Sequence, residues 1–208
     1  MKKLIVILTG LFVGLAVSAQ TAEEIMEKMD SVMSGMPEDR MAVTFEIKIP
    51  VMGSFKTTGY TLGGKKCFLT TVKGITITVW TDGQTDWTYN SKNNEIEITN
   101  AKADRKNEDS SDEMDMFNGV TEGYDVSIKS QDAVSWTIQC TKSKTNKDKD
   151  SPKNMEVVVQ KGTFYPVSLS AKVHGTSVHI SDISYDVTEE QVTFNPALYP
   201  DAQIVDKR

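Results

Sequence analysis

The feature that most limits how this chain can fold is a two-residue hydrophobic period running from residue 41 almost to the C-terminus. Val43, Phe45, Ile47 and Ile49 alternate with Thr44, Glu46 and Lys48, and Ile75, Ile77 and Val79 alternate with Thr76 and Thr78. Trp87 with Tyr89, then Ile96 with Ile98, continue the pattern. Alternation turns one set of side chains toward a core and the other toward water, so each run reads as a strand. The breaks are Gly63-Gly64, Asp82-Gly83 and Asn93-Asn94, residues that tolerate the positive φ of hairpin turns. About six strands are expected to form an antiparallel meander over residues 41–100.

The pattern resumes beyond residue 123. Tyr124, Val126 and Ile128 alternate, as do Val134, Trp136, Ile138 and Cys140. Val157 and Val159, the series Val167 to Val173, Val178 with Ile180, and Ile183, Tyr185 and Val187 follow, with Val192, Phe194 and Ile204 last. Residues 141–153 are polar and lysine-rich, a solvated hairpin tip or a contact for an anionic partner. Ten or eleven strands in one domain are expected. A meander of that length must curl, and its concave face then needs a cover.

Two segments can supply the cover. Residues 21–36 carry Ile25, Met26, Met29, Val32, Met33 and Met36 on one helical face, with Thr21 and Glu24 at capping-box spacing and Gly35 and Pro37 at the end. Residues 101–123 are acidic around Met114, Met116 and Phe117, and read as a short helix across the sheet or as an acidic loop. Both segments are rich in methionine, a flexible side chain that adapts to variable apolar partners and also fills ordinary cores.

The first nineteen residues read as a signal peptide: Lys2-Lys3, an apolar run from Leu4 to Val17, and small residues at Val17-Ser18-Ala19. The run is short for a membrane span. Cleavage after Ala19 is expected to release an exported domain of residues 20–208 with 21 basic against 29 acidic side chains. A net negative charge, already −6 for the whole chain, argues against a nucleic-acid partner. Export permits a disulfide between Cys67 and Cys140, although both sit in apolar alternating runs where buried thiols are equally at home. His174 and His179 flank Gly175-Thr176 with Asp182 nearby, a set too thin for a hydrolytic triad or a zinc site. No enzyme activity and no cofactor or metal are expected.

Four stretches resemble the periplasmic outer-membrane lipoprotein carrier proteins, the LolA-like group. They are the helix-then-strand start to Phe45, the stretch Gly59 to Leu69, the segment Thr81-Asp82-Gly83-Gln84-Thr85-Asp86-Trp87-Thr88-Tyr89, and the close from Val192-Thr193-Phe194-Asn195-Pro196 to Asp206. The resemblance implies a mainly β fold: an incomplete, strongly curved antiparallel barrel of about eleven strands with short helices as a lid. It implies a monomeric periplasmic carrier that shelters lipoprotein acyl chains between an inner-membrane release transporter and an outer-membrane acceptor. A lipid- or lipoprotein-sensing module of the same fold is the alternative. Alternation and lid position then nominate Met29, Met33, Met36, Phe45, Phe68, Trp80, Trp87, Tyr89, Met114, Phe117 and Trp136 as the apolar lining. The family latches its lid with an arginine before a lysine-phenylalanine position. Here the stretch is Gly63-Gly64-Lys65-Lys66-Cys67, with Lys65 as the nearest substitute.

Overall fold

The computed structural model describes residues 20–37, 39–101 and 121–208. The candidate lining residues Met114 and Phe117, the second lid segment around them and the signal-peptide run lie outside the described residues.

Helix α1 spans Ala22–Met33. Its start is fixed locally: Thr21 Oγ1 accepts from the Glu24 backbone N–H, and the Glu24 carboxylate accepts from the Thr21 N–H, both at 3.2 Å. Ile25, Met26, Met29 and Met33 are buried along one stripe. The helix is three turns long, so this packed face rather than helix propensity holds it.

The strands follow in chain order: β1 Arg40–Ile49, β2 Gly53–Leu62, β3 Lys65–Val72, β4 Ile75–Thr81, β5 Thr85–Asn90 and β6 Glu95–Asn100. Then come β7 Tyr124–Gln131, β8 Ser135–Lys142, β9 Asn154–Gln160, β10 Pro166–Val173 and β11 Thr176–Ser184. A one-turn helix α2 (Glu189–Val192), a 3-10 turn (Pro196–Leu198) and β12 (Gln203–Asp206) end the chain. All twelve strands form one sheet in the order β12-β6-β5-β4-β3-β2-β1-β11-β10-β9-β8-β7. Two meanders, β1–β6 and β7–β11, are joined edge to edge by the antiparallel pair β1·β11. Among the described residues the outer strands β12 and β7 do not meet, so the barrel stays open. The fold is the mainly β, incomplete barrel that was expected, with twelve strands instead of about eleven. The last strand, β12 around Ile204, runs parallel to β6, the one parallel pair of the described sheet.

The end of the alternating pattern departs from expectation in one place. Ile183 belongs to β11, but Tyr185 and Val187 lie beyond it in an irregular stretch that leads into α2. The register of β11 against β1 slips between Ala42 and Thr44, where Asp182 takes φ +53°. This bulge turns the strand's end and sends the chain toward the other side of the sheet.

Opposed residues in a ladder share a face, so the register shows which side each run faces. Met41, Val43 and Phe45 of β1 face the same way as Ile180 and Leu169, Val157 and Val159, Ile138, Cys140 and Trp136. These residues form one core with Ile25, Met26, Met29 and Met33. On β2–β6 the packed side is the reverse. Tyr60, Cys67, Trp80, Trp87 and Ile98 line up with Ala42, and Ala42, Tyr60 and Leu62 pack with Val187 and Val192 of the C-terminal arm. The sheet therefore changes its buried face at β1. That strand is packed on both sides, which is why Met41, Ala42, Val43 and Thr44 are all buried in succession.

Candidate functional site

The face that carries α1 continues past β1 onto β2, β3 and β4. There it presents Phe55, Phe68, Val72, Ile75, Ile77 and Val79, all half-buried. None of them enters the core under α1. The polar groups between them are turned on each other: Thr57 and Thr70 share a hydroxyl hydrogen bond of 3.0 Å. Gly59 is buried opposite Phe68, and a Cβ at that position would lie 3.3 Å from the phenyl ring. The ring thus rests close on bare backbone, and a side chain at Gly59 would push it away by a few tenths of an ångström. The result is a shallow apolar surface continuous with Phe45 and the end of the α1 core.

The expected lining residues separate into two groups. Met29, Met33, Phe45 and Trp136 lie in or against the α1 core, and Phe68 lies on the same face farther along the sheet. Met36 is half-buried just past the helix. Trp80, Trp87 and Tyr89 point through the other side. Phe194 meets Trp80 at 5.4 Å and stacks on Trp87 at 5.7 Å, while Tyr199 meets Trp80 at 5.7 Å and Tyr89 at 4.5 Å between ring centroids. These three aromatics anchor the C-terminal arm and share no surface with the methionines. The sequence stretches Trp87-Thr88-Tyr89 and Phe194-Asn195-Pro196 are thus two halves of one contact. Alternation alone named the aromatic positions correctly as apolar and could not assign their side.

Besides its apolar stripe, two side-chain contacts tie α1 to the rest of the fold, one at Lys28 and one at Met33. Lys28 lies over the Phe164 ring at 4.9 Å, Phe164 stacks on Trp136 at 5.6 Å, and Lys161 lies over Trp136 at 5.3 Å, so a stacked pair of rings carries a cation at each. Tyr185 donates its hydroxyl to the Met33 sulfur at 3.3 Å, and burial pushes that phenol up to about 12. Lys65 does not take part. Its ammonium pairs with Glu189 of α2 at 2.5 Å, on the face away from α1, so it fastens the C-terminal arm and not the lid. Phe164 escaped the sequence reading because it lies in a turn where no period marks it, and Tyr185 was read as part of an alternating strand, not as a contact of α1.

A fold of this form is similar to several solved structures. An uncharacterized conserved protein from Thermus thermophilus is 13% identical over 89% of this chain and 99% of that one, with a TM-score of 0.41. The lipoprotein LppX of Mycobacterium tuberculosis is 12% identical over 81% of this chain and 96% of its own, TM-score 0.46. A LolA superfamily protein from Nitrosomonas europaea is 12% identical over 85% and 99%, TM-score 0.29. At such identities the likeness concerns the fold alone. No family model matches the sequence, and no curated protein matches it.

The remaining reactive groups do not converge. Cys67 and Cys140 are both buried and free. They lie in different halves of the sheet and on opposite faces, and burial pushes each thiol up to about 11. The disulfide left open by the sequence is not formed. His179 contacts the Ser170 hydroxyl at 2.8 Å across the β10·β11 pair, whereas His174 sits in the turn beyond β10, 3.3 Å from Asp150. Among the described residues no group of three or more His, Cys, Asp or Glu side chains is placed to hold a metal ion. No described helix is long and apolar enough to cross a membrane.

Proposed function

We propose that this protein is an exported, periplasmic carrier that binds the acyl chains of lipoproteins and moves them from the inner to the outer membrane. The observation that carries this reading is the half-buried apolar surface of β2–β4, continuous with the methionine-packed core of α1 on the same face. Each methylene of a fatty acyl chain gains about 0.8 kcal/mol on leaving water. A chain laid along Phe68, Ile77 and Val79 and under a shifting α1 would gain that without any bond chemistry. Methionine suits the moving side of such a contact, because its unbranched thioether repacks at low cost. The four stretches that resemble the LolA-like carriers support the same reading, as does the N-terminal run that reads as an export signal. A release transporter and an acceptor at the two membranes would be its partners, and it would act as a monomer.

Two measurements test the binding step. Organic extraction of the purified protein followed by mass spectrometry is expected to yield fatty acyl species. A fluorescent fatty acid is expected to bind saturably and to be displaced by palmitate, with at least a tenfold loss of affinity in Phe68→Asp. A protein that is lipid-free after gentle purification and shows no saturable binding would overturn the reading. Transfer is tested by depletion in cells: lipoproteins retained at the inner membrane are the expected outcome, and unchanged lipoprotein sorting would refute the carrier role.

A further inference from the structure

The register places five connections at one end of the strands: the turns after β1, β3, β5 and β10 and the lysine-rich loop between β8 and β9. This rim has two features that the acyl-chain reading does not use. The first is the β1·β2 turn. Ile49 pairs with Gly53, so Pro50, Val51 and Met52 alone make the connection. Val51 is fully exposed and Met52 is more than half exposed. Val51 also adopts φ +71°, a region that a β-branched side chain enters only at a conformational cost and where turns ordinarily use Gly or Asn. Two apolar side chains are thus held out into water on a tip where a polar residue would fit better.

The second feature is a cleft of about 430 Å³ between the β8–β9 loop and the end of β10, lined by Lys149, Lys153, Lys172 and His174. Lys144 and Lys147 lie in the same loop. The acids of the loop are already engaged: Asp148 accepts from the Ser151 hydroxyl and the Asp150 N–H, and Asp150 faces His174. The cluster is cationic in a chain where acids outnumber bases by 29 to 23. The apolar tip and the cleft are neighbours, since a Cβ on Gly175, next to His174, would lie 3.7 Å from the Pro50 ring.

We propose that this rim docks the protein onto an anionic phospholipid bilayer, with Val51 and Met52 entering the headgroup boundary and the lysines against lipid phosphates. A short apolar wedge gives weak binding alone, and a basic cluster gives weak, salt-sensitive binding alone. Together they give a reversible contact of the kind a shuttling protein can make and leave. The opposed charge explains the lysines, and the exposed Val51-Met52 tip selects a bilayer over a soluble polyanion.

Sedimentation with vesicles of phosphatidylcholine, with and without phosphatidylglycerol, tests the contact using the full exported chain. Binding is expected only with phosphatidylglycerol present, weakening steeply as salt rises. The triple variant K149E/K153E/K172E is expected to lose at least tenfold in affinity, and V51S/M52S about tenfold. Arg40→Glu, at the other end of the strands, should bind as the parent does, and all variants sit on exposed side chains, so circular dichroism should be unchanged. Absence of binding to anionic vesicles overturns the proposal. So does binding that needs the lysines but ignores Val51 and Met52, which marks a site for any polyanion, inorganic phosphate or an acidic protein included. No acyl ligand enters the assay, so its failure leaves the acyl-chain reading standing.

Discussion

The two halves of the sheet solve the same problem in opposite ways. The β7–β11 half buries the face under α1, with aliphatic and methionine side chains interlocked and several fully enclosed. The β2–β6 half buries the other face, and does so with rings: Trp80, Trp87 and Tyr89 are clamped by Phe194 and Tyr199. One half therefore has a helical cover made of adaptable side chains, and the other a short arm fixed by aromatic contacts. The difference teaches which cover can move. A methionine face repacks over a changed neighbour, whereas stacked rings prefer a few geometries. The surface left half-buried, on β2–β4, belongs to the second half but lies on the first half's face.

The sharpest way to break this comparison uses two adjacent residues on opposite faces. Trp80→Ala removes the centre of the aromatic clamp and is expected to cost about 3–5 kcal/mol in urea unfolding. Fatty acid binding by its folded fraction should be unchanged. Val79→Asp should abolish that binding with a smaller loss of stability. If Trp80→Ala alone destroyed binding, the assignment of the faces would be wrong. Next in size, Met29→Ala opens a cavity under α1 and is expected to cost about 2–5 kcal/mol, toward the low end if the neighbouring methionines collapse into the space. A full rigid-core cost there would argue against an adaptable lid.

Smaller changes sharpen the picture. Tyr185→Phe removes the hydrogen bond to the Met33 sulfur and should lower stability by about 1 kcal/mol, with faster amide exchange confined to α1. Asp30 on α1 has its carboxyl pushed up by burial, and one of its oxygens is enclosed without a hydrogen-bond partner. A carboxyl whose folded pKa is raised opposes folding once it ionises, so stability falls as pH rises through the folded value. Asp30→Asn should raise the melting temperature slightly at neutral pH, and the gain should vanish below roughly pH 4, the unfolded value. A gain that persists in acid would point to a different cause.

Much of the fold was legible because its signals are local. Thr21 and Glu24 announce α1, and period-two runs with glycine or asparagine turns announce the hairpins. What alternation lacks is a sign: it says that a strand has two unlike faces, not which one a neighbour covers. Val79 and Trp80 are both apolar, and only the arrival of Phe194, far along the chain, decides between them. The C-terminal arm itself was obscured because Tyr185, Val187, Val192 and Phe194 preserve hydrophobic spacing through a bulge, an irregular stretch and a single helical turn. The candidate surface was half legible for the same reason. Of the residues nominated from alternation and lid position, Phe45, Phe68 and the α1 methionines share one face, and the tryptophans of β4 and β5 lie on the other.

The double packing of β1 also sets an order of events. A chain emerging N-terminus first delivers α1 and the β1–β6 meander before either is fully covered. Apart from β1, the strands that receive α1 arrive only from residue 124 onward, and the rings that cover Trp80 and Trp87 only at Phe194 and Tyr199. Contacts so distant in sequence form late. Until Phe194 and Tyr199 arrive, Trp80 and Trp87 have no aromatic cover, so the β1–β6 half of the sheet is the last to complete its packing.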